Sequence, residues 1–198
     1  MPEGALFKRM DIPKEFWVKG CDFSLDGSFL AISGFINGSQ HHPSPIAFIC
    51  NVKTGRILKT LLCHEYHEEG QTCAEGERCT FHPDGKRAAV GTSVNAFYMW
   101  NLETNRVEFV RRKGGRWWVV KFSPDGRLLA TSGAGGKVLI WEIATRREVL
   151  NRKGHVLSVY DLAFNPTSDL LASGGMGGIV KLWRLKDKIW DELGILGL

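Results

Sequence analysis

Six side chains between positions 63 and 82 are of the types that hold zinc: Cys63, His64, His67, Cys73, Cys79 and His82. Zinc sites favour ligands paired two residues apart, because one short loop then presents both donor atoms to the same ion. No Cys-x-x-Cys pair occurs here and the candidates are strung over 20 positions. An exposed loop with one or two cysteines buried on its flanking strands is the plainer reading. The set Cys63, His64, His67, Cys73 and Cys79 stays a metal candidate by residue type alone, and no cofactor is assigned. The glycines at 133–136 and 174–178 do not form a phosphate loop. Thr131 stands where the first Gly of that pattern is needed, and Val138 follows Lys137 in place of Ser or Thr. Hairpin turns explain both segments. Asp84 and Asp125 recur at one place in successive repeats, whereas a catalytic carboxylate pair is unique and convergent. With no Gly-x-Ser-x-Gly elbow and no His-Glu-x-x-His, the sequence offers no positive sign of an enzyme.

The elements that would position such residues repeat. Phe23, Phe81, Phe122 and Phe164 are anchors spaced by 58, 41 and 42 residues, and Trp100, Trp141 and Trp183 each follow their Phe by 19. In the first copy Cys50 takes the Trp place, 27 residues after Phe23, so that copy carries extra residues around 37–45. Within a copy, Val119 to Phe122 leads into a Pro-Asp-Gly turn, which favours a hairpin because Pro fixes φ and Gly tolerates positive φ. Residues 128–131 and 138–141 read as two further short apolar strands, and the more polar 147–150 as an outer edge strand. Four antiparallel strands in about 40 residues are the sequence form of a propeller blade.

Gly154-His155, Leu171-Ala172-Ser173-Gly174, Val180-Lys181-Leu182-Trp183 and the Phe-x-Pro-Asp-Gly turns together resemble the WD-repeat family. The resemblance implies an all-β propeller of four-stranded antiparallel blades, four of them here, as a small ring or a partial propeller. Blade 1 spans about 16–62, an insertion 63–78, blade 2 about 79–112, blade 3 about 116–152 and blade 4 about 156–193. In that family a His, a Ser or Thr, an Asp and a Trp can form a hydrogen-bonded tetrad. Blade 4 supplies His155, Ser173 and Trp183, with Gly177 in the Asp place. Blade 3 supplies Thr131 and Trp141, blade 2 Val90 and Trp100, and blade 1 Ile32 and Cys50. No copy is complete, so apolar packing is expected to carry more of the stability than this network. The tail at 188–193 reads either as the last blade's fourth strand or as a short helix. In the second case residues 5–10 would donate the missing strand.

Charge is ordered along the links that join one blade to the next, which in this fold emerge on one face. The link before blade 3 holds Arg111, Arg112, Lys113 and Arg116, then Trp117 and Trp118; the link before blade 4 holds Arg152 and Lys153. The link before blade 2 is acidic, with Glu65, Glu68, Glu69, Glu75 and Glu77. Basic residues beside aromatics, with a net charge of +5, suit an acidic protein partner or nucleic-acid phosphate. The plainer reading buries one tryptophan between blades and leaves the arginines solvated.

Composition sets the remaining bounds. Of 198 residues 43% are apolar and 24% charged, which excludes a disordered or collagen-like chain. No apolar run has the length to cross a bilayer, and the first ten residues lack a signal-peptide core, so the chain is expected in the cytoplasm or nucleus, away from membranes. Five cysteines without paired spacing fit a reducing compartment, where the sequon at Asn37 is idle. The expected role is a non-catalytic scaffold for protein–protein interaction, a subunit or adaptor of a larger complex. Two alternatives are an RNA-associated propeller and a substrate receptor of a ubiquitin ligase. Trp183-Arg184-Leu185-Lys186 lacks the Asp of the Trp-Asp-x-Arg box linked with ligase adaptors. Four blades left as an open arc would bare two blade faces, so a tight ring, a homodimer, a completing partner or membership of a longer propeller is expected.

Overall fold

A computed structural model describes residues 8–36, 44–63, 75–93, 96–111, 116–186 and 189–197. Its repeating unit starts from the turn. In the third copy the Gly126 N–H donates to the Ser123 carbonyl at 2.9 Å, and Ser123 Oγ donates to Asp125 Oδ1 at 2.6 Å. The Arg127 N–H closes onto the same carboxylate at 3.0 Å. Gly126 sits at φ +72°, where a side chain would strain the backbone. Each such turn reverses the chain and brings two apolar strands into register.

Four sheets result. Blade 1 holds β1 (Phe16–Phe23), β2 (Phe29–Ile36), β3 (Ser44–Asn51) and β4 (Ile57–Cys63). Blade 2 holds β5 (Gly76–Phe81), β6 (Arg87–Thr92), β7 (Phe97–Asn101) and β8 (Arg106–Arg111). Blade 3 holds β9 (Val119–Phe122), β10 (Leu128–Ser132), β11 (Lys137–Glu142) and β12 (Arg147–Lys153). Blade 4 holds β13 (Val159–Phe164), β14 (Leu170–Gly175), β15 (Ile179–Lys186) and β16 (Ile189–Gly197). Every neighbouring pair within a blade is antiparallel, and a single 3-10 turn at Ala134–Gly136 is the helical structure among the described residues. The molecule is a four-blade β-propeller, as the repeats imply.

Two details separate the observed blades from the expected ones. β5 begins at Gly76, so the first residues of blade 2 lie inside the stretch expected as an insertion. The tail forms β16, which pairs with β15 from Ile179↔Gly197 to Lys186↔Ile189; it is the fourth strand of blade 4 and not a helix. A strand donated by the N-terminal segment is therefore not needed there. Met10 and Ile12 instead pack on blade 1 beside Phe16, Ile32 and Phe48.

The core lies between the blades. Ala31, Ala47 and Ile49 of blade 1 meet Cys79, Val90 and Trp100 of blade 2. Phe97 and Met99 of blade 2 meet Val120, Leu129 and Trp141 of blade 3, and Val138 and Ile140 of blade 3 meet Leu162, Leu171 and Trp183 of blade 4. Strand alternation makes this possible, since residues one apart face opposite neighbours and both faces of an interior blade must be apolar. Polar contacts stitch the inner ends. Ser33 Oγ donates to the Glu77 carbonyl at 2.8 Å, and the Phe81 N–H to Asp22 Oδ2 at 2.9 Å. Between the turns, His82 Nε2 donates to the Gly126 carbonyl at 2.8 Å, and the Asp125 N–H to Ser168 Oγ at 3.3 Å. Among the described residues, β5 packs on β1, β9 on β5 and β13 on β9, and no comparable packing joins β13 back to β1.

Candidate protein-docking face

The tryptophan positions show how the backbone sorts adjacent side chains. Trp117 makes an isolated bridge with Thr92 of blade 2, and the Arg116 carbonyl accepts the Ala134 N–H at 3.1 Å. The link is thus held extended between two blades, and neighbouring side chains point opposite ways. Trp117, 1% exposed, enters the core shared by blades 2 and 3. Trp118 turns the other way and stacks on Tyr160 of blade 4, ring centroids 6.3 Å apart and planes 14° from parallel. Tyr160 is itself half exposed.

The next link completes the surface. Arg152 and Lys153 close β12 and are exposed, as is Arg116 in the preceding link. Gly154 and His155 then dive inward, each N–H donating to the Gly136 carbonyl at 2.9 Å. Val156 emerges 82% exposed and Leu157 half exposed, and the Met176 N–H donates to the Ser158 carbonyl at 2.8 Å. That bond brings exposed Met176, on the β14–β15 turn, beside the link. Val156, Leu157, Tyr160 and Met176 are thus exposed apolar side chains around this link, half-buried Trp118 stacks on Tyr160, and Arg116, Arg152 and Lys153 are exposed cations of the same two links. Sequence reading found the cations and tryptophans but missed Val156, Leu157, Tyr160 and Met176. The available signal was the apolar pair Val156-Leu157 just after Gly154-His155 in a link, where no strand pattern requires one.

The other candidate residues fall elsewhere. Cys79 is 4% exposed inside the core between blades 1 and 2, and burial pushes its thiol up to about 12. Cys50 is buried in blade 1, with its thiol pushed up to about 11 by burial and the nearby Asp11 carboxylate. His82 is buried between two turns, its Nδ1 facing the Asp84 backbone N–H at 3.1 Å. His64, His67, Cys73, Arg112 and Lys113 lie outside the described residues, with Glu65, Glu68 and Glu69; Cys63 ends β4 and Arg111 ends β8, and their side chains are outside them too. Of the acidic link, Glu75 and Glu77 both pair with Lys19 of blade 1, at 2.7 and 2.8 Å. Burial works against the Lys19 charge, but the two carboxylates outweigh it and raise its pKa. Their negative charge is thereby committed within the molecule.

The tetrad remnants are built as far as the side chains allow. In blade 4, His155 Nε2 and Ser173 Oγ lie 2.8 Å apart, and Trp183 Nε1 donates to the same Oγ at 2.9 Å. In blade 3, Trp141 Nε1 donates to Thr131 Oγ1 at 3.0 Å. In blade 2 Val90 offers no acceptor, and Trp100 Nε1 turns to Asn105 Oδ1 at 3.1 Å.

Fold and face define the class: a β-propeller whose blades are joined by links on one side. The family model described as "WD domain, G-beta repeat" matches residues 113–142 and 146–184, that is, blades 3 and 4. A stretch of 36 residues is 58% identical to an uncharacterized WD repeat-containing protein of Nostoc sp. (strain PCC 7120), covering 18% of this chain and 2% of that relative. Blades 3 and 4 are thus similar to the WD-repeat family, and all four blades share one propeller build. Such propellers are generally protein-interaction scaffolds without catalytic activity. Among the described residues no helix is long and apolar enough to cross a membrane.

Proposed function

We propose that this propeller is a non-catalytic scaffold that binds an acidic protein segment on the link face of blades 3 and 4. The observation that carries this reading is the juxtaposition of exposed apolar groups with cations. Val156, Leu157, Met176 and the Trp118–Tyr160 stack belong to the links and turn that also carry the exposed Arg116, Arg152 and Lys153. An isolated exposed Val or Leu needs no explanation, but several exposed apolar side chains on links that also carry cations have the make-up of a docking surface. Aromatic anchors supply most of the binding energy in such surfaces, and charge steers the encounter. The subunit or adaptor role in a larger complex follows from that reading.

The test is affinity capture from cells with identification of partners, comparing the wild-type chain, Leu157→Asp and the Arg152→Glu/Lys153→Glu pair. A partner lost from both variants, and bound by purified wild type through an acidic segment, supports the proposal. Capture unchanged by either variant overturns it. RNA is the competing ligand for the same cations beside Trp118 and Tyr160. An affinity falling steeply with log salt and abolished by ribonuclease assigns the face to RNA instead.

A further inference from the structure

Residues directly opposite each other in a strand pair share one face of the sheet with Cβ atoms about 5 Å apart, so the register shows which charges are held together. Three described pairings set a charged residue opposite another: Glu142↔Arg147, Arg184↔Asp191 and Lys137↔Lys153. The first two are of opposite sign. Lys137↔Lys153, at the link end of blade 3, is of like sign, which destabilises a sheet. The fold does not ask for it: fifteen residues after the anchor Phe, where blade 3 has Lys137, blade 2 has Ala96 and blade 4 has Ile179. Both lysines are exposed, and among the described residues neither makes an ion pair. Lys19, Lys86, Arg87 and Arg127, by contrast, are each answered by a carboxylate of this chain at 2.6 to 3.0 Å. The backbone around the pair is pinned. Ser132 Oγ donates to the Lys137 carbonyl at 2.5 Å, and the Gly136 carbonyl accepts the Gly154 and His155 N–H groups at 2.9 Å. The link after Lys153 is thereby clasped to the turn before Lys137. Gly136, at φ +71°, lies so close under it that a Cβ would come within 1.9 Å of the His155 oxygen and 2.6 Å of the Leu157 oxygen.

We propose that Lys137 and Lys153 together hold the phosphoryl group of a phosphorylated side chain on the partner segment. The inference rests on the scaffold reading of the link face and adds the chemistry of the group that is recognised. A carboxylate carries one negative charge and leaves two ammonium groups with a net positive charge between them. A phosphoryl group carries nearly two charges and three strong acceptor oxygens, so it neutralises both lysines and takes a hydrogen bond from each. Lysine suits this seat, being a compact charge on a long stem that closes on the group from its own side. Arg152 lies opposite Val138, whose side chain packs in the core shared with blade 4, so it adds positive charge from the other face of the sheet without sharing the seat. A nucleic-acid backbone asks for a row of cations along its phosphates. One cation pair, followed in the same link by exposed Val156 and Leu157, instead matches a single phosphoryl group on a protein segment that also brings apolar side chains.

The test has two arms. In the first the probe is inorganic phosphate, titrated into the purified chain at constant ionic strength set with chloride. The side-chain NMR signals of Lys137 and Lys153 should shift and saturate, with phosphate binding about tenfold tighter than acetate. Lys137→Gln and Lys153→Gln should each weaken phosphate binding several-fold. Both change exposed side chains, and without phosphate their melting temperatures should equal or exceed that of the wild type, because one of two like charges is gone. Shifts that do not saturate, equal affinity for acetate, or phosphate binding unchanged in either variant overturns the inference. The second arm takes the partner captured by the wild-type chain in the experiment above. Treating it with a protein phosphatase, or replacing the wild-type chain by Lys137→Gln, should cut its retention about tenfold. A partner fully retained after phosphatase treatment overturns the phosphoryl inference and leaves the scaffold reading standing, whereas failure to capture any partner overturns both. Retention lost to ribonuclease and untouched by phosphatase assigns the lysines to nucleic acid and overturns the inference as well.

Discussion

Blades 3 and 4 are written in nearly the same sequence pattern, 42 residues apart, and yet their corresponding side chains live in different surroundings. Ile140 of blade 3 is 0% exposed, while Leu182, its counterpart in blade 4, is half-buried. Thr131 receives one hydrogen bond from Trp141, while Ser173 serves both Trp183 and His155. The first turn of blade 3 has glycine at its positive-φ position, and that of blade 4 has Ser168. Blade 3 is held by apolar cover on both sides. Blade 4, covered on one side, has the fuller polar network. Position in the array, rather than local sequence, decides what each side chain contributes.

The largest expected difference is in the core. Ile140→Ala should cost about 3 kcal/mol, since the space left by a fully buried side chain collapses poorly. Leu182→Ala should cost about 1 kcal/mol, because part of that side chain already meets water. Urea denaturation of each variant against the wild-type chain measures both. Equal losses would erase the distinction between covered and bare faces.

Next in size is the polar network. Ser173→Ala removes the oxygen shared by His155 and Trp183 and should cost about 2 kcal/mol. Thr131→Val removes one acceptor from Trp141 and should cost about 1 kcal/mol. The ratio of these losses sharpens the claim that blade 4 leans more on hydrogen bonds.

The turns make stability depend on acid. Burial pushes the Asp125 pKa up, but the Ser123 hydroxyl, the Arg127 N–H and the Arg127 guanidinium outweigh it and hold the carboxyl below its ordinary value. Asp84 is depressed in the same way, burial being overcome chiefly by Arg87 and the Lys86 N–H. Asp169 in blade 4 is lowered mainly by the neutral Thr167 and Asn165 side chains, and Asp26 in blade 1 to about 2, led by the Ser24 hydroxyl. A carboxylate with its folded pKa depressed stabilises the fold fully above its unfolded value, near 4, and loses that contribution as pH falls through the folded value. The melting temperature should therefore hold from pH 7 to about 5 and fall toward pH 3. Asp125→Asn should flatten that fall, and 1 M salt should weaken the turn of blade 3, held by a cation, more than that of blade 4.

The smallest effect concerns the backbone. Arg146 in blade 3 sits at φ 57° and Ser168 in blade 4 at φ 64°. Relief of the left-handed strain by Arg146→Gly should raise stability by up to about 1 kcal/mol, read as a melting shift of a few degrees. Ser168→Gly should gain less, since it also removes the acceptor of the Asp125 N–H.

Much of this was legible in residue order. Phe-to-Trp spacing and the Pro-Asp-Gly turns located the blades, because turn chemistry and strand alternation act over a few residues. The tetrad gaps at Gly177 and Val90 were equally readable, and the structure shows what fills in: Trp100 turns to Asn105. The start of β5 was misplaced, since the acidic stretch before it carries no apolar pattern that a strand would announce. Val156, Leu157 and Met176 were passed over because exposure is a property of neighbours, not of residue type.

The sequence by itself determined that four sheets of four strands form, since each turn and each alternating strand draws on chemistry within its own 40 residues. Only the tertiary structure decided which of two adjacent tryptophans is core and which is surface. It also made the tail a strand and left Phe23 and Val180 uncovered. Those outcomes depend on which blade stands beside which, and that is set by contacts between residues far apart in the chain.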